Sequence, residues 1–75
     1  MRPLYEIARE IRNDWKKINY SAKPYLDAMA SLGSINEQYY YDSGKSVVLY
    51  FLSNASSWRG ETAKRIKAEL RSMTK

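Results

Sequence analysis

The longest uninterrupted apolar stretch of this 75-residue chain is VVLYFL at residues 47–52. Its β-branched and aromatic side chains favour a strand. The sequence contains no second run of that kind, however, so a strand here would have no partner. The residues that keep helical spacing are Val48, Phe51, Leu52 and Ala55. An apolar run without a polar face is typical of the buried central helix of a small bundle. The stretch therefore predicts a helix over residues 43–55.

The N-terminal segment carries the clearest amphipathic pattern. Its apolar residues recur at helical spacing and form one stripe, which consists of Leu4, Ile7, Ala8, Ile11, Trp15 and Ile18. The opposite face is charged, and Pro3 suits a first helical turn, where a backbone N–H is not needed. The pattern predicts a helix over residues 4–18.

A second, shorter helix is predicted over residues 22–32, where apolar residues again repeat at helical spacing. Ser21 is the expected N-cap, because its hydroxyl can accept a hydrogen bond from the first turn. Pro24 fits within that first turn. Gly33 is expected to end the helix in the left-handed conformation.

The C-terminal segment combines a narrow apolar stripe with a strongly basic face. The stripe consists of Ala63, Ile66, Leu70 and Met73. Residues 54–57 are expected to end the central helix and to cap this last one. The patterns together predict an all-α fold: a single domain over residues 1–75, built as a small compact bundle of three main helices plus one shorter helix. The expected core consists of Leu4, Ile7, Ile11, Trp15, Leu26, Met29, Val48, Phe51, Leu52, Ile66 and Leu70.

Composition excludes several classes of function. The chain contains neither cysteine nor histidine, so disulfides, the usual zinc sites, thiol nucleophiles and histidine-dependent triads are unavailable. We therefore expect a protein that is not an enzyme and that uses neither a metal nor a cofactor.

The longest apolar run is far shorter than the roughly 20 residues that span a membrane. No signal-peptide core follows the N-terminus, and a cytoplasmic protein without a membrane partner is expected.

Two motifs have a chemical interpretation that the sequence does not favour. Gly44-Lys45-Ser46 resembles the end of a phosphate-binding loop, but the position that requires the first glycine is Tyr39. A helix start with glycine in its first turn explains the motif better.

A row of carboxylates, Glu6, Glu10 and Asp14, shares one helix face and could ligate a cation. Arginines and lysines alternate with this row, which favours a solvated face with weak ion pairs.

The formal net charge of +5 is unevenly distributed. Residues 1–18 carry a net +2, residues 19–58 a net −1 and residues 59–75 a net +4. The basic candidates for contact with nucleic acid or an acidic partner are Arg59, Lys64, Arg65, Lys67, Arg71 and Lys75. Such a stripe attracts phosphates through counterion release, and Trp58 and the tyrosines could add base stacking. The competing interpretation is a solvated helix whose cations suit its C-terminal end. For Trp15 and Trp58, which lie on apolar stripes or at their margins, packing in the core is the favoured interpretation.

A tyrosine cluster supplies a second candidate surface. Tyr39, Tyr40, Tyr41 and Asp42 are the candidates for binding a partner protein. Consecutive side chains point in different directions, so at least one ring is expected to be exposed, and tyrosine is an energetically strong interface residue. The competing interpretation is a loop whose rings fold over the helix ends. Asp42 or Ser43 is the expected N-cap of the central helix.

The stretches SVVLYFLSNA at 46–55 and SWRGETA at 57–63, with the basic helix that follows, are similar to short proteins encoded by phages and by integrated elements of Gram-positive bacteria. LYEIAREIR at 4–12 and PYLDAM at 24–29 extend the resemblance to nearly the whole chain. It includes no known catalytic motif. It implies a small accessory protein of a mobile element, and such proteins often inhibit host machinery, CRISPR and restriction systems included, by binding it.

The sequence therefore predicts a small non-enzymatic binding protein of a phage or mobile element. It would bind a host protein or nucleoprotein complex and inhibit or modulate it, as an anti-CRISPR or other anti-defence protein does. The alternative is a nucleic-acid-binding module that uses the basic C-terminal helix. The two are not exclusive, and self-association stays open because chains this short often complete their core in an oligomer.

Overall fold

The computed structural model describes residues 2–75, and within them the chain forms four helices and one two-stranded antiparallel sheet. The elements in chain order are α1 (Leu4–Asp14), α2 (Lys23–Met29), β1 (Gln38–Tyr39), β2 (Asp42–Ser43), α3 (Gly44–Ser53) and α4 (Glu61–Met73). The predicted, largely helical fold is confirmed. The small sheet is a departure from the all-α prediction.

The central helix α3 confirms the helical interpretation of residues 47–52. Val47, Val48 and Phe51 are buried, and α3 contacts α2, α4 and both strands. Among the predicted core residues, all are buried except Leu52, which is half-buried and packs against the core margin. Ser43 is the N-cap, and its hydroxyl accepts a hydrogen bond of 3.1 Å from the backbone N–H of Ser46.

Helix α1 is shorter than the apolar spacing predicts. It ends at Asp14, and Trp15 has an extended backbone with φ −91° and ψ 91°. Trp15 is nevertheless buried, since its ring stacks on Trp58 at a centroid distance of 5.7 Å and meets Phe51 edge-on at 6.2 Å. Apolar spacing continues beyond the helix because Trp15 and Ile18 pack on the core from non-helical backbone.

Helix α2 is also shorter than predicted. Pro24 lies in its first turn, as expected, but the N-cap is Ala22 and no side chain caps the helix, so the prediction for Ser21 is wrong. The prediction that Gly33 is left-handed is wrong as well. In residues 2–75, positive φ occurs at Tyr40 and Gly60 alone.

Strands β1 and β2 pair in the register Gln38 with Ser43 and Tyr39 with Asp42, so residues 40 and 41 form the hairpin loop. The backbone N–H of Gly44 donates to the Glu37 carbonyl at 2.7 Å. A Cβ added at Gly44 would lie 2.7–2.9 Å from backbone atoms of Ile35, so this close approach requires glycine. Strands of two residues are too short to show the alternation by which sequence reveals a strand.

Helix α4 buries its predicted stripe, Ala63, Ile66, Leu70 and Met73. Its N-cap is Gly60, at φ 115°, and no side chain caps it, so the prediction that residues 54–57 cap this helix is wrong. A backbone at this φ favours glycine. Across the described range, no helix combines the length and the apolar character needed to cross a membrane.

Candidate functional site

An open cleft of about 300 Å³ runs along α4 from the N-terminal end of that helix. Four basic side chains line it, and these are Arg59, Lys64, Lys67 and Arg71. Lys64, Lys67 and Arg71 share one face because they are spaced three and four residues apart on a helix. Trp58, Gly60 and Ala63 line the remainder. We call this site the cationic cleft.

The charges of the cationic cleft have no counter-charge on its walls. The ion pairs found among residues 2–75 lie elsewhere, between Arg2 and Glu10, Arg2 and Glu69, Arg12 and Asp27, and Arg65 and Glu10. Glu61 belongs to the first turn of α4 but does not line the cleft. The wall therefore presents four unneutralised cations to solvent.

Lys67 is the most enclosed of these cations. Its Nζ donates a hydrogen bond of 2.6 Å to the Trp58 carbonyl and lies 5.8 Å from the centroid of the Trp58 ring. Burial lowers the pKa of Lys67 below its usual 10.5, and the charges of Arg71 and Arg59 lower that pKa further. An anion among these side chains would relieve this repulsion between like charges.

Trp58 forms the floor of the cationic cleft, and its ring is committed to the core. The side chain is 2% exposed. Its ring stacks on Trp15 with an interplanar angle of 12°, meets Phe51 edge-on, and donates through Nε1 to the Asp14 carboxylate at 2.8 Å. Core packing, the favoured interpretation of Trp58, is therefore confirmed, and the ring faces are not accessible for base stacking.

The opposite side of α4 is electrically balanced. Arg2 donates to both carboxylate oxygens of Glu69, at 2.7 and 3.0 Å, and to Glu10 at 2.8 Å. Arg65 also pairs with Glu10. The hydrogen bonds from Arg2 hold the pKa of Glu10 and of Glu69 below the usual value, and Arg65 adds to the effect on Glu10. This network joins α1 to α4 and leaves no net charge on that side.

The structure thus divides the six basic residues that the sequence singles out. Four of them form the cationic cleft. Arg65 belongs to the balanced network, and Lys75 is exposed beyond the end of α4 without lining the cleft.

No protein-family model matches this chain, and the searches of curated proteins and of solved structures found nothing similar.

Two of the three carboxylates of α1, those of Glu10 and Asp14, are engaged by protein groups, whereas Glu6 is exposed. Glu10 accepts from Arg2 and Arg65, and Asp14 accepts from Trp58. In the part of the chain that the structure describes, no group of three or more acidic, histidine or cysteine side chains is arranged to hold a metal ion.

The tyrosine cluster forms the hairpin and does not line the cationic cleft. Tyr39 is half-buried against the core, whereas Tyr40 is 83% and Tyr41 99% exposed. The prediction of at least one exposed ring is confirmed. The Tyr39 and Tyr40 rings meet edge-on at 4.7 Å, and Asp42 is exposed beside them on β2.

A second depression, of about 350 Å³, lies between α1 and α2 and was not predicted from the sequence. Tyr5, Arg9, Arg12 and Ala30 line it. Arg12 pairs with Asp27 there, so this depression carries much less free positive charge than the cationic cleft.

Gly60 is the site residue whose role the sequence did not reveal. Gly60 turns the chain from the buried Trp58 into α4 and so brings Arg59 beside the lysines of that helix. A usable signal was present, since a glycine stands directly before the basic segment. Ser56 and Ser57 obscured it, because serine is the commoner N-cap.

Proposed function

We propose that this protein is a non-enzymatic binding protein that contacts the phosphates of nucleic acid through the cationic cleft. One observation carries the proposal: Arg59, Lys64, Lys67 and Arg71 line one cleft, and none of them forms an ion pair among residues 2–75. On the resemblance noted above, the protein would belong to a phage or mobile element and act on the nucleic acid or nucleoprotein of its host.

Phosphate is the anion that suits this geometry. Arginine forms forked hydrogen bonds to phosphate oxygens, and lysine binds phosphate as a point charge. Each neutralised phosphate releases counterions, so affinity falls with salt at a slope of about −0.9 per contact on duplex DNA. Four cations in one cleft therefore support a slope of about −3 to −4.

The test compares two arginines of the same helix. Arg71→Gln removes a cleft cation, and Arg65→Gln removes the same charge from the balanced side of α4. Fluorescence anisotropy with a labelled duplex, titrated over a range of salt, should give a slope that is smaller by about one for Arg71→Gln. The slope of Arg65→Gln should match that of the original protein. Thermal unfolding of both variants checks that the fold is retained.

Two results would count against the proposal. Equal losses in the two variants would mean that net charge alone drives binding, without a defined cleft. The second result is that poly-glutamate binds as tightly as the duplex and that Arg71→Gln weakens this binding too. The cationic cleft would then be assigned to binding an acidic protein surface instead.

A second candidate function is binding and inhibition of a host protein through the hairpin. Tyr40 and Tyr41 favour it, because two consecutive large rings are exposed at the tip and one of them has a φ of 58°. Exposed tyrosines in a rigid turn are typical of interface anchors. Acidic Asp42 beside them distinguishes this surface from the basic face of α4.

Affinity purification from host lysate, repeated after nuclease treatment, tests this second function. Tyr40→Ala and Tyr41→Ala should each lose a partner that the original protein retains. Tyr20→Ala is the matched control, since Tyr20 is 90% exposed and lies outside the hairpin. A partner that disappears on nuclease treatment would instead support the nucleic-acid function.

A further inference from the structure

The cationic cleft offers charge without an aromatic platform. Trp58 is the aromatic residue that lines it within the described chain, and its ring is occupied by Trp15, Phe51 and the hydrogen bond to Asp14. Lys67 Nζ lies over this ring, 5.8 Å from its centroid. A nucleotide base therefore finds no ring surface on which to stack.

The exposed aromatic rings lie outside the cleft. Tyr5, Tyr20, Tyr40, Tyr41 and Tyr50 are each about half exposed or more, and none lines the cleft. Proteins that bind single strands without sequence preference place aromatic rings along the basic groove that tracks the backbone. This cleft lacks that arrangement. A single strand bound here would lose the conformational entropy of its flexible backbone, and no stacking would compensate for that loss.

A duplex presents what the cleft can use. Lys64, Lys67 and Arg71 span about 10 Å of helix axis at the α-helical rise. Each strand of a duplex carries its phosphates at a regular axial spacing of about 3.4 Å, so a duplex offers this row a fixed array of phosphates. Phosphate contacts position a protein on the duplex and carry no base sequence.

We infer that the cationic cleft binds the phosphate backbone of a double-stranded nucleic acid and no bases, so that binding prefers duplex to single strand and is independent of sequence. This inference rests on the proposed function. It also assigns the tyrosines to a different role, because none of them lines the cleft.

Anisotropy titrations with four probes test the inference: a DNA duplex of about 12 base pairs, a duplex of permuted sequence, an RNA duplex, and an oligo-dT strand of the same length. We expect at least about fivefold tighter binding of duplex than of oligo-dT, and a difference below about twofold between the two DNA sequences. Tryptophan emission should not be quenched by oligo-dT, since both indole rings are buried in the stack. A preference between the DNA and RNA duplexes identifies the source of the backbone, and either preference supports the inference.

Oligo-dT that binds as tightly as the duplex, or that quenches tryptophan emission, would overturn the inference and leave the proposed function intact. A difference of tenfold or more between the two DNA sequences would overturn sequence independence. Absence of binding to every probe at low salt would overturn the proposed function as well, so the two failures are distinguishable.

Discussion

The indole Nε1 of Trp58 donates a hydrogen bond of 2.8 Å to the carboxylate of Asp14, which is 44 positions earlier in the chain. Asp14 is the last residue of α1, and two residues separate Trp58 from the start of α4. The bond therefore joins the end of one helix to the approach of another and fixes the floor of the cationic cleft.

Replacement of Asp14 should test how much this bond contributes. Asp14→Ala removes the acceptor and leaves the partly buried indole N–H without a partner, which costs about 1–3 kcal/mol of unfolding free energy. Asp14→Asn removes the same charge but keeps an amide oxygen in place. Urea unfolding followed by tryptophan fluorescence should show the Asn variant to be more stable than the Ala variant. Equal stability of the two would show that the acceptor is not important.

The network of Arg2, Glu10, Arg65 and Glu69 should make stability sensitive to acid. Because the folded pKa values of Glu10 and Glu69 lie below the usual 4.5, the stabilisation is complete above about pH 4.5. It is lost as the pH falls from there through the folded values. Glu69→Gln should lower the unfolding free energy near neutral pH by up to about 1 kcal/mol and make the acid decline shallower.

The control for that experiment is Glu6→Gln. Glu6 is an exposed carboxylate of α1 that forms none of the ion pairs within residues 2–75. Chemical denaturation at a series of pH values should show the same decline of unfolding free energy at low pH for Glu6→Gln as for the original protein. An equal flattening in both variants would refute a specific role for the network.

Two glycine substitutions should differ in cost for a packing reason. A Cβ at Gly44 would meet backbone atoms of Ile35 at 2.7–2.9 Å, so Gly44→Ala should destabilise by about 1–3 kcal/mol. A Cβ at Gly33 would meet the Glu37 carboxylate at 2.7 Å, but that is the end of a flexible, exposed side chain. Gly33→Ala should therefore be nearly neutral. Thermal unfolding of the pair decides, and a Gly33→Ala variant as unstable as Gly44→Ala would contradict the prediction.

At the hairpin tip, asparagine in place of Tyr40 should be more stable than alanine, because asparagine adopts a positive φ at lower cost. Positive φ at the first loop position of a two-residue hairpin favours glycine or asparagine, and Tyr40 is held at φ 58°. Tyr40→Asn and Tyr40→Ala both lose the ring contact with Tyr39. The unfolding free energy of the Asn variant should exceed that of the Ala variant by up to about 1 kcal/mol. Equal unfolding free energies would mean that the backbone changes its conformation without cost.

The helices were predictable because their signal is local. Apolar spacing placed α1, α3 and α4 and selected a core in which only Leu52 is not fully buried. Helix ends were less predictable, since Trp15 and Leu32 continue the apolar period from non-helical backbone. The hairpin left no periodic signal, and its position depends on contacts between Gly44 and Ile35.

Local sequence patterns were enough to predict that the chain is largely helical, to name most of the largest core side chains, and to show that positive charge gathers after residue 58. Only the tertiary structure decided which cations act together. Arg65 is neutralised by Glu10 from a helix 55 positions away, whereas Arg71 on the same helix meets no such partner among residues 2–75. It also decided that the ring of Trp58 stacks on Trp15 and not on a ligand. Helix periodicity depends on neighbours along the chain, but charge neutralisation and ring burial depend on neighbours in space, which folding alone brings together.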